Sequence, residues 1–113
     1  MEIDKKSQDN IVIFYLRGEI DFIKAPELKT RLNKEIDEHG YTHIIINMED
    51  LTYLDSSGIG ELIGIVRKMR DKGIIRLCSL QKSIYNVLRL TGLISLFQID
   101  ETEEESMSKI IKE

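Results

Sequence analysis

The sequence predicts an α/β fold: a single domain in which about four α-helices pack on a central β-sheet, mixed but mostly parallel, of four to five strands. Two observations carry this prediction. Runs of β-branched and aromatic residues, typical of buried strands, alternate along the 113-residue chain with segments whose apolar residues recur at helical spacing. The order β-β-α-β-α-β-α-β-α then requires right-handed crossovers between the parallel strands.

Two strands open the chain. Residues 11–16 form an unbroken apolar run, typical of a strand buried on both faces, and Gly18 is expected to end it. The segment around Ile3 is expected to pair with this strand as a hairpin arm, with Asp9 and Asn10 in the turn. The hairpin supplies the antiparallel part of the sheet.

The middle of the chain alternates helices and strands. A helix has Pro26 in its first turn and Gly40 as its left-handed cap, and residues 43–48 form the second buried strand. Residues 51–54 form a shorter strand-like run, and residues 74–80 the third core strand. The helix between these two segments carries an apolar stripe at helical spacing: Ile59, Leu62, Ile63 and Val66.

The last third contains two helices and one strand. Ser83 is expected to cap a short helix, and residues 96–99 are expected to form the final strand. Thr102 and Glu105 have the spacing of a capping box, which opens the last helix. Two lysines near the end of that helix suit its dipole: Lys109 and Lys112.

The composition argues against several classes of function. The net charge is -4 and the basic residues are scattered, so nucleic acid is not an expected partner. The single cysteine, Cys78, lies in an apolar run and is expected to be a buried thiol. The sequence has neither a signal peptide nor a membrane-spanning run, so we expect a cytoplasmic protein with no membrane partner.

Residues 55–60, Asp-Ser-Ser-Gly-Ile-Gly, require more than a structural explanation. They join a strand-like run to an amphipathic helix, where open α/β sheets carry their function. Helix capping explains one Asp or Ser. It does not explain two glycines in or beside the first turn, where each costs roughly 1 kcal/mol against alanine. Glycine at such a place indicates close approach, by packing elements or by another molecule.

This segment does not have the pattern of a catalytic site. A serine nucleophile of the elbow type lies in Gly-x-Ser-x-Gly and needs a histidine and an acid. Ser56 follows Leu-Asp instead, and the two histidines, His39 and His43, lie by a helix end and at a strand start. Phosphate-loop and metal-ligand patterns are also absent. We therefore expect a non-enzyme, with no catalytic residue, cofactor or metal.

Residues 55–60 resemble the phosphorylation motif of bacterial anti-sigma-factor antagonists, which belong to the STAS domain family. The likeness extends along nearly the whole chain, and implies a single STAS domain over residues 1–113. Gly-Glu-Ile-Asp at residues 18–21 is similar to the family's Gly-Glu-Leu-Asp, and residues 87–93 and 97–104 are similar to its late helix, terminal strand and final helix cap. Residues 21–25 are more apolar than is usual in the family.

The resemblance implies an anti-sigma-factor antagonist that works as a switch. Its unphosphorylated form would bind an anti-sigma factor that is also a serine kinase, and so free a sigma factor. Phosphorylation of the first serine of the motif, Ser56, would end this binding, and a separate serine phosphatase would reverse it. ATP and magnesium would belong to the kinase.

Five other residues are expected to contact the partner: Asp21, Asp55, Ser57, Gly58 and Ile59. A helix cap explains Asp55 equally well, and a solvated loop carboxylate explains Asp21 equally well. Ser57 is expected to be structural and is the alternative acceptor. A STAS binding module for a non-sigma partner, phospho-regulated or not, stays open as another function. A phospho-aspartate receiver would need an acidic pair after the first strand, and a hydrolase would need a base.

Overall fold

The computed structural model describes residues 1–111, and its elements follow the predicted order with one additional strand. The strands are β1 (Glu2–Gln8), β2 (Ile11–Ile20), β3 (His43–Asn47), β4 (Leu51–Leu54), β5 (Ile74–Cys78) and β6 (Gln98–Asp100). The helices are α1 (Ala25–His39), α2 (Ser56–Met69), α3 (Lys82–Leu90) and α4 (Glu103–Ile111), with a 3-10 helix at Leu93–Leu96.

All six strands belong to one sheet, in the order β1-β2-β3-β5-β6, with β4 paired to the far end of β2. Among the strand pairs of residues 1–111, only β1–β2 is antiparallel. The predicted α/β fold with a mixed, mostly parallel sheet and four α-helices is confirmed. Residues 1–111 contain six strands rather than four to five, because the strand-like run at Leu51–Leu54 is a true strand.

The two faces of the sheet are covered unequally. The front face, under α1, α2 and α3, holds most of the apolar core, and in the described part of the chain the back face carries only α4. The residues of β2 that point to the front face are fully buried, whereas those that point to the back face are half-buried: Ile11, Ile13 and Tyr15. The prediction of a strand buried on both faces is therefore wrong for β2, because α4 covers only part of the back face.

The expected end of β2 at Gly18 is also wrong, since the strand continues to Ile20. Gly18 has a φ of 91°, and the pairing register shifts between Gly18 and Glu19, where β2 pairs with β4. Glycine supplies the left-handed backbone that such an irregularity needs. The extension of β2 brings Ile20 beside Leu54, and this pair positions the site described below.

Two predictions for the last third differ from the structure in detail. α3 begins at Lys82 without a side-chain cap, so Ser83 lies inside the helix. The expected strand at residues 96–99 is shifted to Gln98–Asp100, because the chain first forms the 3-10 helix after Gly92, whose φ is 77°.

The predicted start of α4 is confirmed. Thr102 Oγ1 accepts the Glu105 N–H at 3.1 Å, and the Glu105 carboxylate accepts the Glu101 N–H at 3.1 Å. Lys109 lies in the last turn as expected, and Lys112 lies outside the described residues. The expected buried thiol is also confirmed, because Cys78 is fully buried.

Candidate functional site: the corner at the ends of β2 and β4

Two adjacent loops form a corner at the carboxyl ends of β2 and β4. Ile20 and Leu54 are paired in parallel, and the Asp55 N–H donates to the Ile20 carbonyl at 3.1 Å. The next residues of the two strands, Asp21 and Asp55, therefore leave the sheet side by side. The chain after Asp21 turns into α1, and the chain after Asp55 enters α2 directly.

Asp55 is the N-cap of α2. Its backbone is extended, and its Oδ1 accepts hydrogen bonds from the N–H groups of Ser57 at 2.9 Å and Gly58 at 3.2 Å. Two of the first-turn N–H groups that a helix leaves without partners are satisfied in this way. The interpretation of Asp55 as a helix cap is confirmed, and the cap fixes Ser56 as the first residue of α2.

Asp21 holds the other loop in a similar way. Its Oδ1 accepts hydrogen bonds from the N–H groups of Ile23 and Lys24, both at 3.0 Å. Its carbonyl oxygen accepts from Lys24 at 3.1 Å and from Ala25 at 2.9 Å. Asp21 is therefore the centre of a closed turn rather than a free solvated carboxylate. The turn leaves Phe22 and Ile23 on the surface, with 70% and 66% of their areas exposed.

The two serines of the motif have different environments. Ser56 is exposed and Ser57 is half-buried. Within residues 1–111 no hydrogen bond reaches the Ser56 hydroxyl, and both histidines lie toward the amino end of β3, whereas the corner lies at carboxyl ends of strands. His43 begins β3, and His39 ends α1 and stacks on Tyr41. The corner can therefore present the Ser56 hydroxyl to an incoming reagent, and no base within residues 1–111 is hydrogen-bonded to that hydroxyl.

Different structural features account for the two glycines of the motif. Gly58 is buried, and a Cβ there would overlap Leu54 Cδ1 and lie 2.9 Å from Ile20 Cγ2. Gly60 is exposed, and a Cβ there would meet nothing within 4 Å. Packing inside the domain thus explains Gly58, while Gly60 leaves the α2 surface bare. Ile59 is also buried in the core. Contact of Gly58 and Ile59 with a partner stays a prediction.

The sequence reasoning did not assign Phe22 and Ile23 to the site. Their signal was present, because residues 21–25 are more apolar than is usual in the family that the sequence resembles. In the part of the chain that the structure describes, no helix is long and apolar enough to cross a membrane. Within the same residues, no group of three or more His, Cys, Asp or Glu side chains is placed to hold a metal ion.

The fold and the corner together define a small α/β domain that displays a serine on its surface, at the first residue of a helix capped by Asp55. Within residues 1–111 no base is hydrogen-bonded to this serine. The chain belongs to the STAS domain family, which matches residues 2–106. It is 29% identical over 106 residues to the anti-sigma-B factor antagonist of Listeria monocytogenes, and this match covers 93% of the chain and 91% of that protein.

Two solved structures have the same fold. The anti-sigma factor antagonist SpoIIAA in its unphosphorylated form matches with a TM-score of 0.83 and 24% identity, over 99% of this chain and 98% of that one. The phosphorylated form of SpoIIAA from Bacillus matches with a TM-score of 0.73 and 25% identity, over 96% and 99%. The resemblance seen in the sequence is confirmed.

Proposed function

We propose that this chain is an anti-sigma-factor antagonist that acts as a binding protein rather than as an enzyme. Its unphosphorylated form binds an anti-sigma factor with serine kinase activity and so frees a sigma factor. Phosphorylation of Ser56 ends this binding, and a serine phosphatase restores it. The observation that carries the proposal is the exposed Ser56 hydroxyl at the first residue of α2, beside the Asp55 cap.

A passive acceptor suits this role. No side chain within residues 1–111 is hydrogen-bonded to the Ser56 hydroxyl, so the chain lacks the positioned base that activates a serine nucleophile. In phosphoryl transfer between proteins the kinase supplies the nucleotide, the metal ions and the residue that orients the hydroxyl. The substrate needs only an accessible hydroxyl at a defined position, and the Asp55 cap defines that position.

The charge at the corner explains why a phosphate would act on the surface and not on the fold. A phosphoserine carries about -1.5 to -2 charges at neutral pH. The Asp55 carboxylate already occupies the N–H groups of Ser57 and Gly58, so the helix start has little capacity left to neutralise a second anion. The phosphate would therefore stay exposed, next to the carboxylates of Asp55 and Asp21, in the docking surface itself.

The docking surface follows from the exposure of each motif residue. Ser56 is exposed and Ser57 and Asp21 are half-buried, so these three can contact a partner directly. Gly58 and Ile59 support this surface from below, since both are buried. A bulky dianion on Ser56 clashes with any partner surface that fits closely over a hydroxyl.

The proposal is tested by incubating the pure chain with ATP, magnesium and each purified anti-sigma factor kinase of the source genome. We expect one phosphate, which mass spectrometry places on Ser56, and loss of the complex on phosphorylation. Ser56→Ala should abolish the phosphate and keep the complex, and Ser57→Ala should leave the phosphate on Ser56. Ser108→Ala is the matched control, on the exposed surface of α4 and away from the corner, and it should leave both the phosphate and the complex unchanged. Phosphate on Ser57 would contradict the assignment of the acceptor. Tight binding without phosphate would indicate an unregulated STAS module.

A further inference from the structure

Phe22 and Ile23 form a pair of exposed apolar side chains at the corner. Phe22 is 70% exposed and Ile23 is 66% exposed. Single exposed apolar residues are common on protein surfaces, but neighbouring ones beside a functional residue indicate an interaction surface. Their loop leaves β2 directly beside the Asp55 cap that positions Ser56. Any protein that covers the Ser56 hydroxyl closely therefore also approaches this pair.

The backbone holds the pair in place before any partner arrives. The Asp21 carboxylate accepts the N–H groups of Ile23 and Lys24, and the Asp21 carbonyl accepts those of Lys24 and Ala25. A turn fixed by four hydrogen bonds loses little backbone freedom on binding, so burial of the two side chains is not offset by ordering of the loop. Aromatic residues, phenylalanine included, are enriched in the buried cores of interfaces, where a few positions dominate the affinity.

We propose that Phe22 and Ile23 are the anchor of the docking surface and insert into an apolar cleft of the anti-sigma kinase. This inference rests on the proposed function and assigns two tasks to two sets of atoms. The anchor sets the affinity for the kinase, and the phosphorylation of Ser56 switches the binding off. Because the two side chains of the anchor are apolar and carry no group that acts in phosphoryl transfer, the anchor should affect binding of the chain and not the chemical step.

The anchor is tested with Phe22→Ala, Ile23→Ala and the double variant. Titration calorimetry with the kinase and magnesium-ADP measures Kd without phosphorylation, and steady-state phosphorylation measures KM and kcat. We expect Phe22→Ala to weaken binding about 30-fold, which corresponds to about 2 kcal/mol, and to raise KM with kcat unchanged. Leu90→Ala is the matched control, because Leu90 is 75% exposed on α3, which follows β5 rather than β2 or β4. It should leave all three constants unchanged.

Three outcomes overturn the inference. If the double variant binds within about twofold of the wild type while Ser56→Asp abolishes binding, the anchor is wrong and the proposed function survives. If sedimentation shows that the chain alone is a dimer and Phe22→Ala makes it a monomer, the pair serves a second copy of this chain. If no kinase binds the wild type, the proposed function and the anchor are wrong together.

Discussion

The two faces of the sheet are held by different forces. On the front face, α1 and α2 meet the strands through buried aliphatic side chains, among them Leu28, Leu32, Leu62 and Ile65. On the back face, one row across β2, β3, β5 and β6 contains three polar residues and a thiol: Tyr15, Asn47, Cys78 and Asp100. The helix on that side, α4, is joined to the row by hydrogen bonds and an ion pair.

Asp100 is the centre of the back face. Its side chain is fully buried and accepts hydrogen bonds from Arg76 Nε and Ser106 Oγ, both at 2.7 Å, and it pairs with Lys109. Burial by itself raises the pKa of the Asp100 carboxyl, but the hydrogen bonds from Arg76, Lys109 and Ser106 outweigh it and hold the pKa below its usual value. The Asp100 carboxylate therefore satisfies hydrogen-bonding groups of all three neighbouring side chains at once.

The other groups in the row stay neutral at physiological pH. Burial, followed by a hydrogen bond with Glu103, raises the pKa of Tyr15 to about 12. Burial raises the pKa of the Cys78 thiol to about 11. Asn47 donates to the Glu103 carboxylate at 3.0 Å. The attachment of α4 therefore depends on the protonation states of the side chains in this row. The packing of the apolar front face does not depend on protonation.

This difference matters for the switch. Ser56 lies on α2, which packs on the front face through its buried residues Ile59, Leu62 and Ile65. Apolar packing of this kind does not respond to a new charge at the surface. We therefore expect phosphorylation to change what the corner can bind without loosening the helix that carries it.

The largest expected effect comes from breaking the back-face network. Asp100→Leu leaves Arg76 buried without its partner, and we expect it to lower the free energy of unfolding by about 4 kcal/mol. Adding Arg76→Met removes the uncompensated charge and should restore most of the loss, because it makes the back face resemble the front face. Urea unfolding measures both variants. A double variant as unstable as Asp100→Leu alone would show that the charge pair is not the cause.

This network is also the part of the fold that sequence reasoning missed. Alternating strands and helices, the Pro26 and Gly40 helix signals and the Thr102–Glu105 capping box are local patterns, and the structure confirms them. The pairing of Arg76 with Asp100 joins residues on different strands, and no local pattern indicates it. The lone arginine inside an apolar strand was the available signal.

The candidate site was predictable to a similar degree. Local capping rules gave the helix cap as one of two roles for Asp55, and the position of the motif between a strand and an amphipathic helix indicated where the functional segment lies. The cause of Gly58 was not predictable, since Leu54 and Ile20 approach it through the pairing of β2 with β4. That pairing depends on the continuation of β2 past Gly18. The rule that a glycine ends a strand gives the wrong end for β2.

The second largest effect is expected on the front face. Leu62 is 1% exposed, and Leu62→Ala should lower the free energy of unfolding by about 3 kcal/mol through lost burial and a residual cavity. Because no charge is involved, the loss should be the same at low and high salt and between about pH 5 and pH 8. Leu90→Ala is the control for the same change at an exposed position. A salt-dependent loss at Leu62 would contradict the comparison of the two faces.

A smaller effect separates the two motif glycines. Gly58→Ala places a Cβ against Leu54 and Ile20, and we expect it to lower the free energy of unfolding by about 2 kcal/mol through overpacking. Gly60→Ala is the matched control on the same helix, where the Cβ meets nothing, and it should stabilise the protein by up to about 1 kcal/mol through helix propensity. Thermal unfolding measures both. Equal effects of the two substitutions would show that Gly58 is not required for packing.

The smallest expected effect is a local loosening of α4 in acid. The folded pKa of Asp100 lies below its unfolded value of about 3.9, so its contribution to stability is complete above about pH 5 and is lost as the pH falls through 3.9 toward the folded pKa. Hydrogen exchange, corrected for intrinsic rates, should show Glu103–Ile111 losing protection at a higher pH than Ser56–Met69. The Asp100→Leu/Arg76→Met double variant should abolish this difference, because its back face no longer titrates through Asp100. Simultaneous loss of protection in both helices of the wild type would mean that the Asp100 network does not hold α4 independently of the front face.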